Sequence, residues 1–304
     1  MFRALNDMTN IDLINRQIDR LRKDGKLSTE YLNFYEDILK AQFTNLRRVS
    51  QKNINRQIQS FDVQQRLSEG RPILDFEQVK LNNDFLKGLF QDLLATMERY
   101  QGENKSDIIN LKSARDKYHL DLEKLVLKVV SGDQEFFQTV SAELNVKKGF
   151  LLFLARMLAN PLLESYAHGL QNKISDEQWL RGYCPICGNP PGMARLEQET
   201  GKRILWCSFC NSEWAFQRIH CPFCSNKDHN RLSYFFVEEE SPYRVDVCEN
   251  CKKYLKTIDE RRLPEKREIQ MRAEDMATCE LDIAAEKEGY QNGQWWLRGE
   301  GNSG

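Results

Sequence analysis

Cysteine is absent from the first 183 residues of this 304-residue chain, and glycine is sparse there. Disulfides therefore cannot organise that part, and its fold must come from burying apolar side chains, which a chain of this length has room to do. No charge sign dominates. The 44 Lys+Arg against 45 Asp+Glu create no overall field that would draw the protein to nucleic acid or an anionic membrane. Long apolar runs are missing too: Phe150 to Leu158 is interrupted by Arg156 and stopped by Asn160-Pro161, well short of the roughly 20 residues a membrane span needs. That stretch reads as a buried helix. The opening Met1 to Asp7 scatters charge and shows no apolar segment ahead of a cleavage site, so it does not resemble a secretory leader. A cytoplasmic protein is expected. No phosphate-binding glycine loop, H-E-x-x-H or G-x-S-x-G occurs, so no nucleophile or base announces an enzyme.

The cysteine-free part carries helical periodicity. Ile11, Ile14, Ile18 and Leu21 repeat every three or four residues up to Gly25, and Tyr31, Tyr35, Ile38, Leu39, Phe43 and Leu46 continue the pattern. Gly70-Arg71-Pro72-Ile73-Leu74 breaks it as an extended segment, after which Phe85, Leu89, Phe90, Leu93 and Met97 resume a helical face. Leu120 to Val130, Phe136 to Leu144 and Phe150 to His168 supply further helices, so residues 1–178 read as an all-helical domain.

Near Arg181-Gly182-Tyr183 cysteine, glycine, proline and aromatic residues rise together. Strands are expected at Met193 to Gln198, Arg203 to Cys207, Trp214 to His220, Leu232 to Glu238 and Tyr243 to Cys248, and a final helix at Ala273 to Glu288 ahead of a polar tail, Gly299 to Gly304. Eight of the nine cysteines fall in strict pairs: C-x2-C-x19-C-x2-C, ten residues, then C-x2-C-x23-C-x2-C. Thiolates are the favoured ligands of tetrahedral zinc or iron, and four of them close the shell around one ion. In a C-x-x-C turn both sulfurs converge on one point; Gly188 after Cys187 suits the positive φ that follows the second ligand, and Asn211 after Cys210 can adopt it less readily. Three pairings of the four knuckles exist. Hairpin-length separations favour Cys184, Cys187, Cys207 and Cys210 as one site and Cys221, Cys224, Cys248 and Cys251 as the other, with a cross-braced arrangement as the rival.

A filled four-thiolate site has no open position, which points to a structural staple; iron held by the same ligands would instead carry electrons. His220, beside Cys221, reads as a neighbour of the site rather than a ligand, and His119, His168 and His229 as bystanders. Cys279 reads as a small buried hydrophobe. Trp206, Phe209, Trp214 and Phe216 read as core rather than as base-stacking platforms. The run Lys252, Lys253, Lys256, Arg261 and Arg262, interleaved with Asp259, Glu260, Glu265 and Glu268, reads as a solvated face.

The stretch Trp179 to Pro191, with Cys184-Pro185-Ile186-Cys187-Gly188 at its centre, resembles the start of the metal region in the FdhE family of formate dehydrogenase accessory proteins. Arg203 to Trp214, Arg218 to Cys221 and Cys248 to Lys256 are similar to that family's remaining knuckles in order, and Ala273 to Met276 through Glu288 to Tyr290 is similar as well. Ser212 stands where threonine is usual, and Glu280 interrupts a more apolar stretch. The resemblance implies an α+β multidomain protein: a helical domain (1–178), two rubredoxin-like or zinc-ribbon modules (179–215 and 216–262), and a C-terminal helix and tail (263–304). It implies two iron or zinc ions, each on four cysteines. It also implies a cytoplasmic maturation chaperone that binds the catalytic (alpha) subunit of a respiratory molybdenum formate dehydrogenase and turns over no formate itself. An iron electron carrier in that maturation, or a zinc-ribbon interaction protein with another partner, are the alternatives. Whether the protein forms a homodimer is left open by the sequence.

Overall fold

The computed structural model describes residues 11–294 apart from 48, 50, 77, 101–103, 119, 176–177, 240 and 264–268. The N-terminal heptapeptide, His119 and the Gly299 to Gly304 tail lie outside the described residues. Eleven α-helices and seven strands are present among them. Helices α1 (Ile11–Asp24), α2 (Thr29–Leu46), α3 (Gln51–Ser60), α4 (Val63–Ser68), α5 (Asn83–Arg99), α6 (Lys105–Tyr118), α7 (Leu122–Ser131), α8 (Gln134–Leu144) and α9 (Lys148–Leu170) come first. Strands β1 (Met193–Leu196), β2 (Arg203–Trp206), β3 (Glu213–Phe216), β4 (Leu232–Phe235), β5 (Tyr243–Cys248) and β6 (Lys253–Asp259) follow. Helices α10 (Met271–Ala277) and α11 (Cys279–Lys287) and the short β7 (Gln291–Asn292) complete the chain. No described helix is long and apolar enough to cross a membrane.

The chain divides into two compact units. One comprises the described residues through Ser60 together with Asp75–Tyr166. Its helices start on side chains that accept otherwise unpaired N–H groups: Ser28, Asn82, Asp121 and Asp133 each accept from the backbone N–H three residues on. Phe85, Leu89, Phe90, Leu93 and Met97 of α5 are all buried, as their spacing predicts. On α1, Ile18 and Leu21 are buried, whereas the side chains of Ile11 and Ile14 lie outside the described residues. Helix α2 differs from its predicted stripe. Tyr31 is exposed and Leu32 takes the buried position, and the same face also buries two amides. These are satisfied by partners remote in sequence: Gln42 Nε2 donates to the Met157 carbonyl at 2.7 Å, and Asn45 Nδ2 to Asp92 at 2.6 Å.

The other unit joins Phe61–Leu74 to the described residues from Ala167 onward. The boundary expected at 178/179 left α4 and the extended segment behind it with the helices. In the structure Ile73 and Leu74 donate backbone hydrogen bonds to the carbonyls of Pro185 and Ile186, at 2.8 and 2.9 Å, inside the first C-x-x-C turn. Tyr183 returns a bond from its hydroxyl to the Gly70 carbonyl at 2.7 Å.

All seven strands belong to one sheet, ordered β3-β2-β1-β6-β5-β4 with β7 also on β6. The hairpins are antiparallel, but β1 and β6 run parallel, Met193 opposite Lys256 through Leu196 opposite Asp259. This one pairing fuses the two cysteine modules. One sheet face packs Val245, Val247 and Tyr254 against Leu281 and Ala285 of α11, and Met193, Trp206 and Ile258 against Ile269 and Met271.

The basic run read as a solvated face is corrected at one position: Lys252, Arg261 and Arg262 are exposed, but Lys256 lies in the central strand β6 and is buried. Lys256 is 3% exposed, and its ammonium lies 2.7 Å from Asp275 and 2.8 Å from Asp282. Burial opposes its charge, but the two carboxylates outweigh that and raise its pKa. Arg195 of β1 is held the same way, 2.9 Å from both Glu213 and Glu260. A second correction concerns Cys279, which is exposed at the start of α11 rather than buried. The predicted single helix is broken just before it, where the Thr278 hydroxyl donates to the Glu274 carbonyl at 2.8 Å and the Thr278 backbone leaves the helical region.

Lys256→Met should lower stability by about 3 kcal/mol, because two carboxylates lose their buried cation. Lys256→Met with Asp275→Asn and Asp282→Asn should recover part of that loss in a denaturant titration.

Candidate metal centres

Each of the four knuckles repeats one backbone device. The residue after the second cysteine donates its N–H to the carbonyl of the first: Gly188 to Cys184, Asn211 to Cys207, Ser225 to Cys221 and Lys252 to Cys248, at 2.8 to 3.0 Å. Closing so tight a loop puts that residue in the left-handed region, with φ of +78, +58, +59 and +53° in the same order. Glycine does this without steric cost; the other three residues do not. Gly188 is also packed, since a Cβ there would meet Pro72 Cγ at 2.8 Å.

The turns gather the sulfurs into two groups, Cys184, Cys187, Cys207 and Cys210, and Cys221, Cys224, Cys248 and Cys251, all Sγ atoms of a group within 4.8 Å of one another. The grouping is the sequential one, not the cross-braced rival. Sulfurs of Cys184 and Cys210, and of Cys187 and Cys207, are 3.5 Å apart; those of Cys221 and Cys251, and of Cys224 and Cys248, are 3.7 Å apart. Four thiolates at about 2.3 Å from one ion span tetrahedron edges of roughly 3.8 Å, so both cages have the right size. No cysteine among the described residues is in a disulfide.

Electrostatics favours a cation in each cage. Burial pushes the thiols of Cys184, Cys187 and Cys210 up; neighbouring thiols reverse this at Cys184 and hold it well below the usual value, while they add to the rise at Cys187 and Cys210. In the second group burial drives Cys221 up to about 11 and Cys251 higher still. At Cys224 the Asn250 amide, the Asn226 N–H and two thiols overcome burial and bring the pKa down to about 7. One thiol in each cage ionises readily at the expense of its neighbours, and a bound cation is what allows all four to be thiolates.

Cysteine spacing does not reveal the polar side chains that serve the sulfurs. Two residues after the second cysteine stand Asn189, Ser212 and Asn226. Asn189 Nδ2 donates to Cys187 Sγ at 3.6 Å, Ser212 Oγ lies 3.1 and 2.9 Å from the sulfurs of Cys184 and Cys210, and Asn226 Nδ2 is 4.0 Å from Cys248 Sγ. Asn250 reaches Cys224 at 3.5 Å. A small polar residue recurring at the same offset in three knuckles was the available signal. The hydroxyl contact at 212 is one that either serine or threonine supplies. Among the described residues no histidine joins either cage; His220 stacks edge-on against Phe216. Trp206, Phe209, Trp214 and Phe216 are buried, as core.

The cages differ in cover. All four cysteines of the first are buried, whereas Cys224 and Cys251 of the second are partly exposed. They are also close neighbours in the fold: a Cβ on Gly182, two residues before Cys184, would strike the Pro222 carbonyl oxygen of the second cage's opening turn. The segment after β7 touches both, Gln294 donating to Ser208 while Gly293 lies against Phe223.

These features define a class: a helical part followed by a β-rich part with two four-cysteine clusters able to hold metal ions, closed by short helices. Residues 183–218 match the family model described as FdhE, central domain, and residues 219–296 the one described as FdhE, C-terminal domain. Protein FdhE homolog of Aquifex aeolicus is 27% identical over 284 residues, covering 91% of this chain and 90% of its own. Protein FdhE of Escherichia coli K12 is 26% identical over 285 residues, covering 92% and 85%. In fold, the chain is similar to the crystal structure of the FdhE protein from Pseudomonas aeruginosa, with a TM-score of 0.65 at 20% identity over 96% of this chain and 98% of that one. Over nearly its whole length the chain is similar to proteins named FdhE, and its residues 183–296 match that family's central and C-terminal domain models.

Zinc added to metal-free protein should saturate at two ions per chain by mass spectrometry. Cys184→Ser with Cys187→Ser should reduce this to one and weaken the remaining site, because β1 and β6 share hydrogen bonds. Gly188→Ala should destabilise the unit by about 1–2 kcal/mol, since it forces a side chain into the left-handed region and against Pro72.

Proposed function

We propose that this protein is a cytoplasmic accessory factor in formate dehydrogenase maturation, that it binds the catalytic subunit of a molybdenum formate dehydrogenase, and that it is not itself an enzyme. Full-length similarity to proteins named FdhE supports this reading. The observation that carries it is the closed form of both cages: four sulfurs converge on each centre, so an ion held there keeps no open position for substrate. In this reading all eight cysteines are metal ligands, and the metal braces a docking platform. A platform is also the better use of a sheet whose two modules are locked together by a parallel strand pair.

The exposure of Cys224 and Cys251 favours one second reading, in which iron in the outer cage exchanges electrons. A buried thiolate cage exchanges electrons slowly with partners, and an exposed one does not have that barrier.

Affinity-tagged protein expressed in its native host under anaerobic growth should co-purify with a formate dehydrogenase catalytic subunit. The cysteine double variant at 184 and 187 should lose it. A zinc-only preparation that still supports formate dehydrogenase activity in a deletion strain would decide for the brace and against the electron carrier.

A further inference from the structure

The sheet face opposite α10 and α11 carries a cavity of about 340 Å³ beside the second cage. Strand alternation explains its floor. With Val245 and Val247 of β5 turned to the helices, Arg244 and Asp246 face the other way, as do Tyr234 of β4, Leu255 of β6 and Arg203 of β2. The chain leaving the first module, Arg218 to Phe223, forms one wall.

Its charge is lopsided. Arg203, Arg218, Arg244, Lys253, Arg261 and Arg262 line it against only two carboxylates, Asp246 and Asp259, in a protein whose formal net charge is −1. The excess survives the two negative charges of a divalent ion on four thiolates. Aromatic rings also position these cations: Arg244, which pairs with Asp246, lies over the Tyr234 ring and Arg262 over the Phe236 ring, each 4.3 Å from the centroid, and Lys253 lies 5.6 Å from the Phe223 centroid.

Arg203 separates this cavity from an ordinary solvated basic face. It is 5% exposed, donates to the carbonyls of Arg218 and His220 at 3.4 and 3.1 Å and to Asp246 at 3.2 Å, and its Nε–H has no partner. Asp246 is already shared with Arg244 at 2.9 Å and with the Thr257 hydroxyl at 2.8 Å. Burial works against the Arg203 charge more strongly than that one carboxylate supports it, and the neighbouring Arg244 adds to the strain. A buried guanidinium short of anionic partners beside a cationic cavity gains from an oxyanion brought near it.

We propose that this cavity binds an oxyanion group, a carboxylate or phosphate, seated between Arg203, Arg244 and Arg262. The group can arrive on an acidic segment of a protein or on a free phosphate compound. The rim suits a ligand with an apolar body next to its charge, because Ile219 and Tyr234 are among the large hydrophobic residues left exposed. The site is independent of which metal fills the cages and of which enzyme the protein serves.

Calorimetric titration of the full-length, metal-loaded protein at low salt with pyrophosphate and, separately, with tetraglutamate tests it. At least one probe should bind, more weakly as salt is raised, and the one that binds identifies the source. Arg262→Gln, at an exposed position, should weaken binding by about tenfold or more, the scale of one charge-assisted hydrogen bond, and Arg244→Gln should do the same. Lys173→Gln, the same charge change away from the cavity, should leave binding as it was. Failure of both probes to bind at about millimolar concentration, or binding that responds equally to Arg262→Gln and Lys173→Gln, would overturn the proposal. Because neither readout involves a formate dehydrogenase, failure here leaves the maturation reading standing, and failure of co-purification leaves the cavity standing.

Discussion

Four sulfurs cannot all be charged in a buried cage a few ångströms across unless a cation sits among them, and the β-rich unit is arranged around that requirement. The repeated turn supplies convergence, at the cost of a left-handed residue in every knuckle. Backbone N–H groups, amides and the Ser212 hydroxyl spread the sulfur charge. The hairpins between knuckles return each second pair to its first, and the strands of those hairpins then build a single sheet. Metal affinity and sheet stability are therefore two expressions of one equilibrium in this unit.

Much of that was legible in residue order because its causes are local. A C-x-x-C turn carries its own geometry, a separation of about twenty residues is the length of a hairpin, and the aromatic residues between knuckles had nowhere to go but inward. Five strand positions and the two cysteine groups follow from such reasoning, as does the apolar face of α5. What escaped is what depends on partners distant in sequence. Lys256 looks like a surface residue until Asp275 and Asp282, on helices further along, are placed beside it; only then can β6 be the centre of the sheet. Gln42 and Asn45 look solvent-facing until Met157 and Asp92 are known. Local pattern also misled at Tyr31, where a polar-tipped ring fell on the helical repeat and Leu32 was the better anchor.

The extended segment at Pro72 to Leu74 illustrates the same limit in a different way. Its break in periodicity was visible, yet its destination was not, because a run of three residues can add to a distant backbone without any side-chain pattern that names the partner. Pro72 against Gly188 and Ile73 against Pro185 make it part of the first cage's scaffold. Both units are thus discontinuous, and their segments alternate along the described chain.

That alternation has a consequence for biosynthesis. Residues 72–74 leave the ribosome more than a hundred positions ahead of the turn they bind, as the register of the Ile73 and Leu74 hydrogen bonds requires. The intervening helices have time to condense first, and the early segment waits without its hydrogen-bonding partner until the cysteines appear. The first cage accordingly forms late on the nascent polypeptide, and it closes a loop begun long before any thiol had been translated.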